Sequence, residues 1–409
     1  MVQRTLLPAG MADVLPPQAD HEAATVRRLM AGFASYGYEA VKPPLMEFED
    51  RLLAGAGAAL APQAFRLMDP ISQRMLALRP DVTMQVARIA TERLNRRPRP
   101  LRLAYAGQVV HVNGTATRSA RQVGQVGAEL IGVGPPDADA EVIVMAAGVL
   151  ADLGIGSVTV DLGIPTLVPA LLAGESLDPA LRRRLRTALD RKDAGEVVGL
   201  VRPQLGAGRA ALLARLVALA GPAETVLDAL MRLDLPPAAA SERAALAAVA
   251  ATARALASAL GHPAIQIGID PVENRGFEYH TGVTFALFAE GVAAELGRGG
   301  RYHAGTLGAG EPATGVTLFL DVVLASLPPP AEGPRRVFVP VESGPEMAAQ
   351  LRRDGWIAIA ALAPAADATA EARRLGCSHV ALAGAVRPVE PADPLPSHNP
   401  TEFLQEGHH

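Results

Sequence analysis

One cysteine stands in the 409 residues of this chain. Cys377 therefore has no partner for an intrachain disulfide, a composition that suits a reducing cytoplasm. A basic excess is also missing: 38 Lys and Arg against 42 Asp and Glu leave a net charge of −4. That balance argues against a general nucleic-acid binder. Long apolar runs are absent too. The Ala-rich stretch from Ala244 to Leu260 is interrupted by Arg254 and is too weakly hydrophobic for a membrane span. The opening MVQRTLLPAG has no apolar core of a secretory leader. No metal site and no cofactor is expected. What is present is a chain 49% hydrophobic and 20% charged, enough for an ample core and two or three domains.

The most informative stretch is Leu101 to Gly132, LRLAYAGQVVHVNGTATRSARQVGQVGAELIG. Two apolar strand-like runs flank a polar turn at Asn113–Gly114, a strong hairpin signal. In the second run Gln125 and Glu129 are four apart, so both side chains share one face of the strand. A carboxamide and a carboxylate there suit a small cationic or hydrogen-bonding ligand. On spacing alone, a solvated outer face is the commoner outcome.

Before this hairpin, Asp20 is placed to cap a helix whose buried stripe is Val26, Leu29, Met30 and Phe33. Gly37 ends it and a strand follows, broken at Pro43–Pro44. A second hairpin turns at Asp69–Pro70. After LALRPDVT a helix begins between Asp81 and Thr83, where both residue types are ordinary capping chemistry. Beyond the main hairpin, SVTVDLGI reads as a strand and a helical segment then runs to about Gly261. Ser176, Asp178 and Pro179 open one of its helices. Arg182, Arg183, Arg184 and Arg186 lie opposite Leu181, Leu185 and Leu189, a pattern that favours a solvated amphipathic face over RNA contact. Strands return in AIQIGID, in NRGFEYHTGVTFALF, in ELGRGGRYHAG and in PATGVTLF. The linker SLPPPAEGPRR separates a β-α-β-α-β pattern over Val337 to Gly384. The predicted organisation is a core over 1–327 with a helical insertion at about 163–262. A linker at 328–336, a small α/β domain at 337–386 and a Pro-rich tail at 387–409 complete it.

These segments resemble the class II aminoacyl-tRNA synthetases, and histidyl-tRNA synthetase in particular. The Leu101–Gly132 hairpin is similar to motif 2, YGYEAVKPPLMEF with Pro44 to the dimer-forming motif 1, and Pro312–Leu327 stands where motif 3 belongs. Arg275, Gly276, Tyr279, Thr281 and Gly282 match the histidine-specific motif, which other class II synthetases lack. GGRY, ending in Tyr302, matches the next strand. The resemblance implies an α+β fold: a class II antiparallel sheet flanked by helices, with a helical insertion and a reduced anticodon-binding-like α/β domain. It also implies a histidine pocket. Asp81, in place of the family's longer glutamate, would face the α-amino group with Thr83 and Gln125. Arg275 would face the carboxylate. Glu129, Tyr302 and His280 would surround the imidazole, with Tyr279–His280 replacing the family's paired tyrosines and Glu278 an aspartate.

The nucleotide grip departs from the family. His111 stands where an arginine would hold the α-phosphate, and Asn113 and Gly114 replace an acidic and a basic residue. Phe319 replaces a glycine, and Val322 replaces the arginine that stacks on adenine. Adenylate formation depends on stabilising a charged phosphate, so these losses argue against the activity. From about residue 5 to residue 327 the same pattern is similar to the ATP phosphoribosyltransferase regulatory subunits. That resemblance implies a non-catalytic subunit of the short-form enzyme of histidine biosynthesis. The implied partners are its catalytic subunit, a homodimer within a hetero-octamer, and L-histidine as effector; tRNA binding is not expected. An active histidyl-tRNA synthetase is the competing reading.

Overall fold

The structure, a computed structural model, describes residues 7–53, 55–114, 118–262, 264–273, 279–305, 310–328 and 335–390. It divides the chain into two compact units, Met1–Pro328 and Pro329–His409.

The first unit opens with helix α1 (Gln18–Ser35), which buries Thr25, Leu29 and Phe33 at four-residue spacing. Its cap position is Pro17, with no side-chain cap bond; Asp20 lies in the first turn instead, where a carboxylate complements the helix dipole. Gly37, at φ +84°, turns the chain out of the helix. Strand β1 (Glu39–Ala40) follows, then β2 (Met46–Phe48), α2 (Glu49–Leu52), β3 (Arg66–Met68) and β4 (Met75–Leu78). The last three strands form a small antiparallel sheet in the order β2-β4-β3. Helix α3 (Thr83–Arg88) leads to the hairpin of β5 (Leu101–Val110) and β6 (Gln122–Ile131), and then to α4 (Asp137–Asp152) and β7 (Val158–Gly163).

The predicted insertion is helical: α5 (Leu167–Leu171), α6 (Pro179–Asp190), α7 (Ala194–Val217), α8 (Ala223–Met231) and α9 (Pro237–Ala259), with a two-residue strand β8 (Gly221–Pro222) among them. The Asp178 carboxylate accepts from the Ala180 amide and caps α6, with Pro179 in its first turn. Arg182, Arg183, Arg184 and Arg186 are exposed on that helix while Leu185 and Leu189 are buried. The Ala-rich stretch lies mostly in α9, which buries Leu246, Val249, Ala250, Ala253 and Ala257. Among the described residues no helix is long and apolar enough to cross a membrane. Strands β9 (Gln266–Ile269), β10 (Thr284–Ala289), β11 (Gly297–Ala304) and β12 (Glu311–Phe319), then α10 (Leu320–Ser326), finish the unit.

Nine strands form the main sheet in the order β1-β5-β6-β12-β11-β10-β7-β9-β8. Its middle is antiparallel, as expected, but β1 runs parallel to β5 and β7 parallel to β9, so the whole sheet is mixed. Period-2 alternation along β6 divides the molecule. Val126, Ala128 and Leu130 point to the large core shared with α1 and α4. Val123 and Ile131 point the other way, to a second core with Val82 and Val86 of the α3 segment, Tyr105 and Tyr302. Gln125 and Glu129 belong to that second face.

In the second unit β13 (Arg336–Val339) is flanked by parallel β14 (Ile357–Ala360) and β15 (His379–Leu382), with α11 (Gly344–Arg353) and α12 (Ala368–Arg374) as crossovers. Val337 and Val339 pack with Leu351 on one side, while Phe338 packs with Ala372 and Cys377 on the other. A further strand, β16 (Ala385–Pro388), pairs antiparallel with β15 after a turn at Ala383–Gly384, both at positive φ. The expected domain end at 386, placed where the Pro-rich composition begins, falls inside this strand. Val389 is nonetheless buried.

A candidate effector pocket on the second face of the sheet

Three segments far apart in the chain meet over β6. The first is the turn before α3. The Asp81 carboxylate accepts from the Thr83 amide at 2.8 Å with Oδ1 and from Gln125 Nε2 at 3.1 Å with Oδ2. Gln125 Oε1 in turn accepts from the Val82 amide at 3.1 Å. The cap position of α3 is Val82, with no side-chain cap bond, so Asp81 stands one residue before the cap and its bonds tie the turn to β6. Thr83 is buried, its Oγ1 3.2 Å from Tyr105 Oη, which lies 2.7 Å from Thr317 Oγ1.

Beyond this network, Glu129 is fully buried and Tyr302 Oη donates to its Oε2 at 2.8 Å. The other oxygen, Oε1, has no hydrogen-bond partner among the described residues. Burial pushes the Glu129 carboxyl up to about 8; the Tyr302 bond and the Thr83 and Tyr105 hydroxyls pull it down, and the Asp81 charge adds to the rise. Gly315 faces Glu129 across the β6–β12 ladder, and a Cβ on it would sit 1.8 Å from Oε2. Only glycine fits beside this carboxylate.

Tyr279 and His280 form the roof. Their rings stack at 4.1 Å, and Tyr279 meets Tyr302 edge-on at 6.0 Å. Burial raises both tyrosine pKa values. The cavity enclosed by Thr83, Glu129, Tyr279, His280, Tyr302 and Thr317 measures about 10 Å³, room for roughly one water. An imidazole entering it has to displace part of the Tyr279–His280 roof. Arg275, the expected carboxylate partner, lies outside the described residues, as do Gly276 and Glu278.

Seven of the eight candidate residues are therefore described: Thr83, Glu129, Tyr279, His280 and Tyr302 line the cavity, and Asp81 and Gln125 are tied to it through the turn before α3. Tyr105, Thr317 and Gly315 were not among the candidates. Tyr105 reads as part of an apolar strand, and the other two as small strand residues; only the register of β5, β6 and β12 brings them to Glu129 and Thr83.

The positions that depart from the synthetase motifs make contacts within the chain. His111 Nε2 lies 2.7 Å from the Pro80 carbonyl. Arg118 makes a two-pronged ion pair with Asp321, its Nε 3.0 Å from Oδ2, and its guanidinium carbon is 4.4 Å from the Phe319 ring centre. The guanidinium carbon of Arg298, itself paired with Glu295, is 5.7 Å from the same ring. Arg121 donates to Ala9 and His111 carbonyls. Val322 is buried in the core. The adjoining cavity, about 470 Å³, is lined by Asp161, Asp270, Glu273 and Glu295 as well as Arg118 and Arg298. Burial, and the charges of Asp270 and Glu273, raise the Asp161 pKa. Among the described residues no group of His, Cys, Asp and Glu is arranged to hold a metal ion.

Comparison with known proteins identifies the family. The histidyl-tRNA synthetase family profile matches residues 10–323. A relative from Paramagnetospirillum magneticum, an ATP phosphoribosyltransferase regulatory subunit, is 53% identical over 376 residues, covering 92% of this chain and 96% of its own. This chain belongs to the ATP phosphoribosyltransferase regulatory subunit family. Among solved structures, an ATP phosphoribosyltransferase regulatory subunit/histidyl-tRNA synthetase from Bacillus halodurans shares the fold. Its TM-score is 0.78 at 24% identity, over 90% of this chain and 96% of that one. A chain of the ATP phosphoribosyl transferase complex from Thermotoga maritima also shares it, with a TM-score of 0.55 at 18% identity, over 73% of this chain and 97% of that one.

Proposed function

We propose that this chain is the non-catalytic regulatory subunit of a short-form ATP phosphoribosyltransferase in histidine biosynthesis. It is needed for activity of the catalytic subunit and carries feedback inhibition by L-histidine. The observation that carries the ligand half of this reading is Glu129 Oε1, buried without a hydrogen-bond partner among the described residues beside Tyr302 and the Tyr279–His280 roof. Histidine docks with its imidazole toward Glu129, Tyr302 and His280 and its ammonium toward Asp81, Thr83 and Gln125. Arg275 receives its carboxylate, since a guanidinium pairs bidentately with a planar anion. Binding shifts the complex between active and inhibited states through differential affinity for the two. The subunit works in the cytoplasm as a homodimer within a hetero-octamer, without cofactor, tRNA binding or aminoacylation of its own.

Calorimetry of the purified chain tests this directly. L-histidine binds and Mg-ATP does not. Glu129→Ala removes histidine binding and, in the assembled enzyme, histidine inhibition. Inhibition unchanged by Glu129→Ala would falsify the site. ATP binding with histidine-dependent pyrophosphate release would return the chain to the synthetases, a reading that the cavity of about 470 Å³ beside Phe319 keeps worth testing.

A further inference from the structure

Arg79 is only 6% exposed, yet among the described residues the acceptors of its guanidinium are neutral carbonyl and carboxamide oxygens. Its Nε donates to the Gln108 carbonyl of β5 at 2.9 Å. Its Nη1 faces the Pro43 carbonyl at 3.0 Å, the Pro44 carbonyl at 3.4 Å and Gln85 Oε1 of α3 at 3.4 Å. The Arg79 backbone adds two bonds, from its amide to Leu45 O at 3.1 Å and from the Val110 amide to its carbonyl at 3.2 Å. Gly107 leaves room for the fork, since a Cβ there would sit 2.3 Å from Nη2. Gln85 completes the joint by donating to Pro44 O at 2.8 Å and to Glu47 at 2.9 Å.

Burying a cation against neutral acceptors is expensive, and for stability alone a well-packed apolar side chain serves as well or better. The placement gives the cation a use. Arg79 is two residues before Asp81, and its bonds fix the three segments that bound the Asp81–Thr83 turn: residues 43–45, β5 and α3. Asp81 and Glu47 sustain the guanidinium's charge against burial, which lowers its pKa.

We propose that Arg79 is a positioning residue of the effector pocket: its fork sets the place of the Asp81 carboxylate and the Thr83 amide, and so the affinity for a ligand's ammonium group. The ligand half of this inference rests on the histidine pocket proposed above; the positioning half does not. Two readouts separate them. In Arg79→Met, amide exchange at Val82 and Thr83 accelerates about tenfold, while Val126 and Ala128 in β6 keep their protection. L-histidine binding weakens about tenfold, whereas 3-(imidazol-4-yl)propionate, which lacks the ammonium, changes less than about twofold. Arg79→Lys keeps the charge without the fork and does not restore the turn. Should Arg79→Met fail to fold, Gly107→Ala displaces Nη2 while keeping the arginine, and gives the same selective exchange pattern. Unchanged exchange at Val82 and Thr83, equal acceleration throughout the core, or equal weakening of both ligands would each overturn the assignment. If the wild-type chain binds neither ligand, the histidine pocket fails, and the exchange pattern alone decides the role of Arg79.

Discussion

At the scale of single residues, Glu129 dominates. Its folded-state pKa of about 8 lies above the ordinary 4.5, so folding takes up a proton between those two values. The corresponding stability is fully present below about pH 4.5 and is lost as pH rises through about 8. Glu129→Gln keeps a hydrogen-bonding oxygen for Tyr302 but cannot ionise. Urea unfolding across that range is expected to show stability falling with pH in the wild type and a flatter profile in the variant. Parallel profiles would mean that Glu129 is not the buried acid described. The sequence exposes this residue as a candidate through its spacing from Gln125. It does not reveal whether that face is solvated or buried, because alternation fixes which side chains share a face and not what covers the face.

Among the elements, the β5–β6 hairpin was legible from its two apolar runs and the polar segment between them. The other antiparallel neighbour of β6 was not, because β12 pairs with it from about 190 residues away, through contacts that no local pattern records. A buried ion pair secures this region. Arg301 on β11 meets Asp139 on α4 with Nη2–Oδ1 at 2.7 Å and Nε–Oδ2 at 3.1 Å, and Thr314 on β12 donates to the same carboxylate. Both partners are nearly inaccessible, at 7% and 2%. Removing one partner strands the other's charge, so Asp139→Ala is expected to cost about 3–5 kcal/mol in chemical denaturation. The double change Asp139→Ala with Arg301→Met should recover much of that loss. A single variant within about 0.5 kcal/mol of wild type would show that the pair does not hold the sheet to α4.

For the whole molecule, the pocket lies entirely within the first unit, whose two cores are built from its own residues. A chain ending at Pro328 is therefore expected to fold and to bind L-histidine within about twofold of the full chain, as read by calorimetry. Loss of binding in a well-folded truncated chain would assign the second unit a part in the pocket. That unit carries its own alternating cores around β13, consistent with an independent folding element.

The sequence by itself determined the kinds of element and offered Asp81, Thr83, Gln125, Glu129, Tyr279, His280 and Tyr302 as candidate positions. The elements follow from local periodicity and turn chemistry, the candidate positions from resemblance to a known family. Only the tertiary structure decided that Glu129 is buried and half-satisfied, that Gly315 makes room for it and that Tyr105 and Thr317 join the network. It also decided that Phe319 sits among guanidiniums already paired with Asp321 and Glu295. The physical reason is common to all four. Burial, hydrogen-bond satisfaction and charge pairing depend on which strands lie side by side, and strand partners here are drawn from segments up to two hundred residues apart.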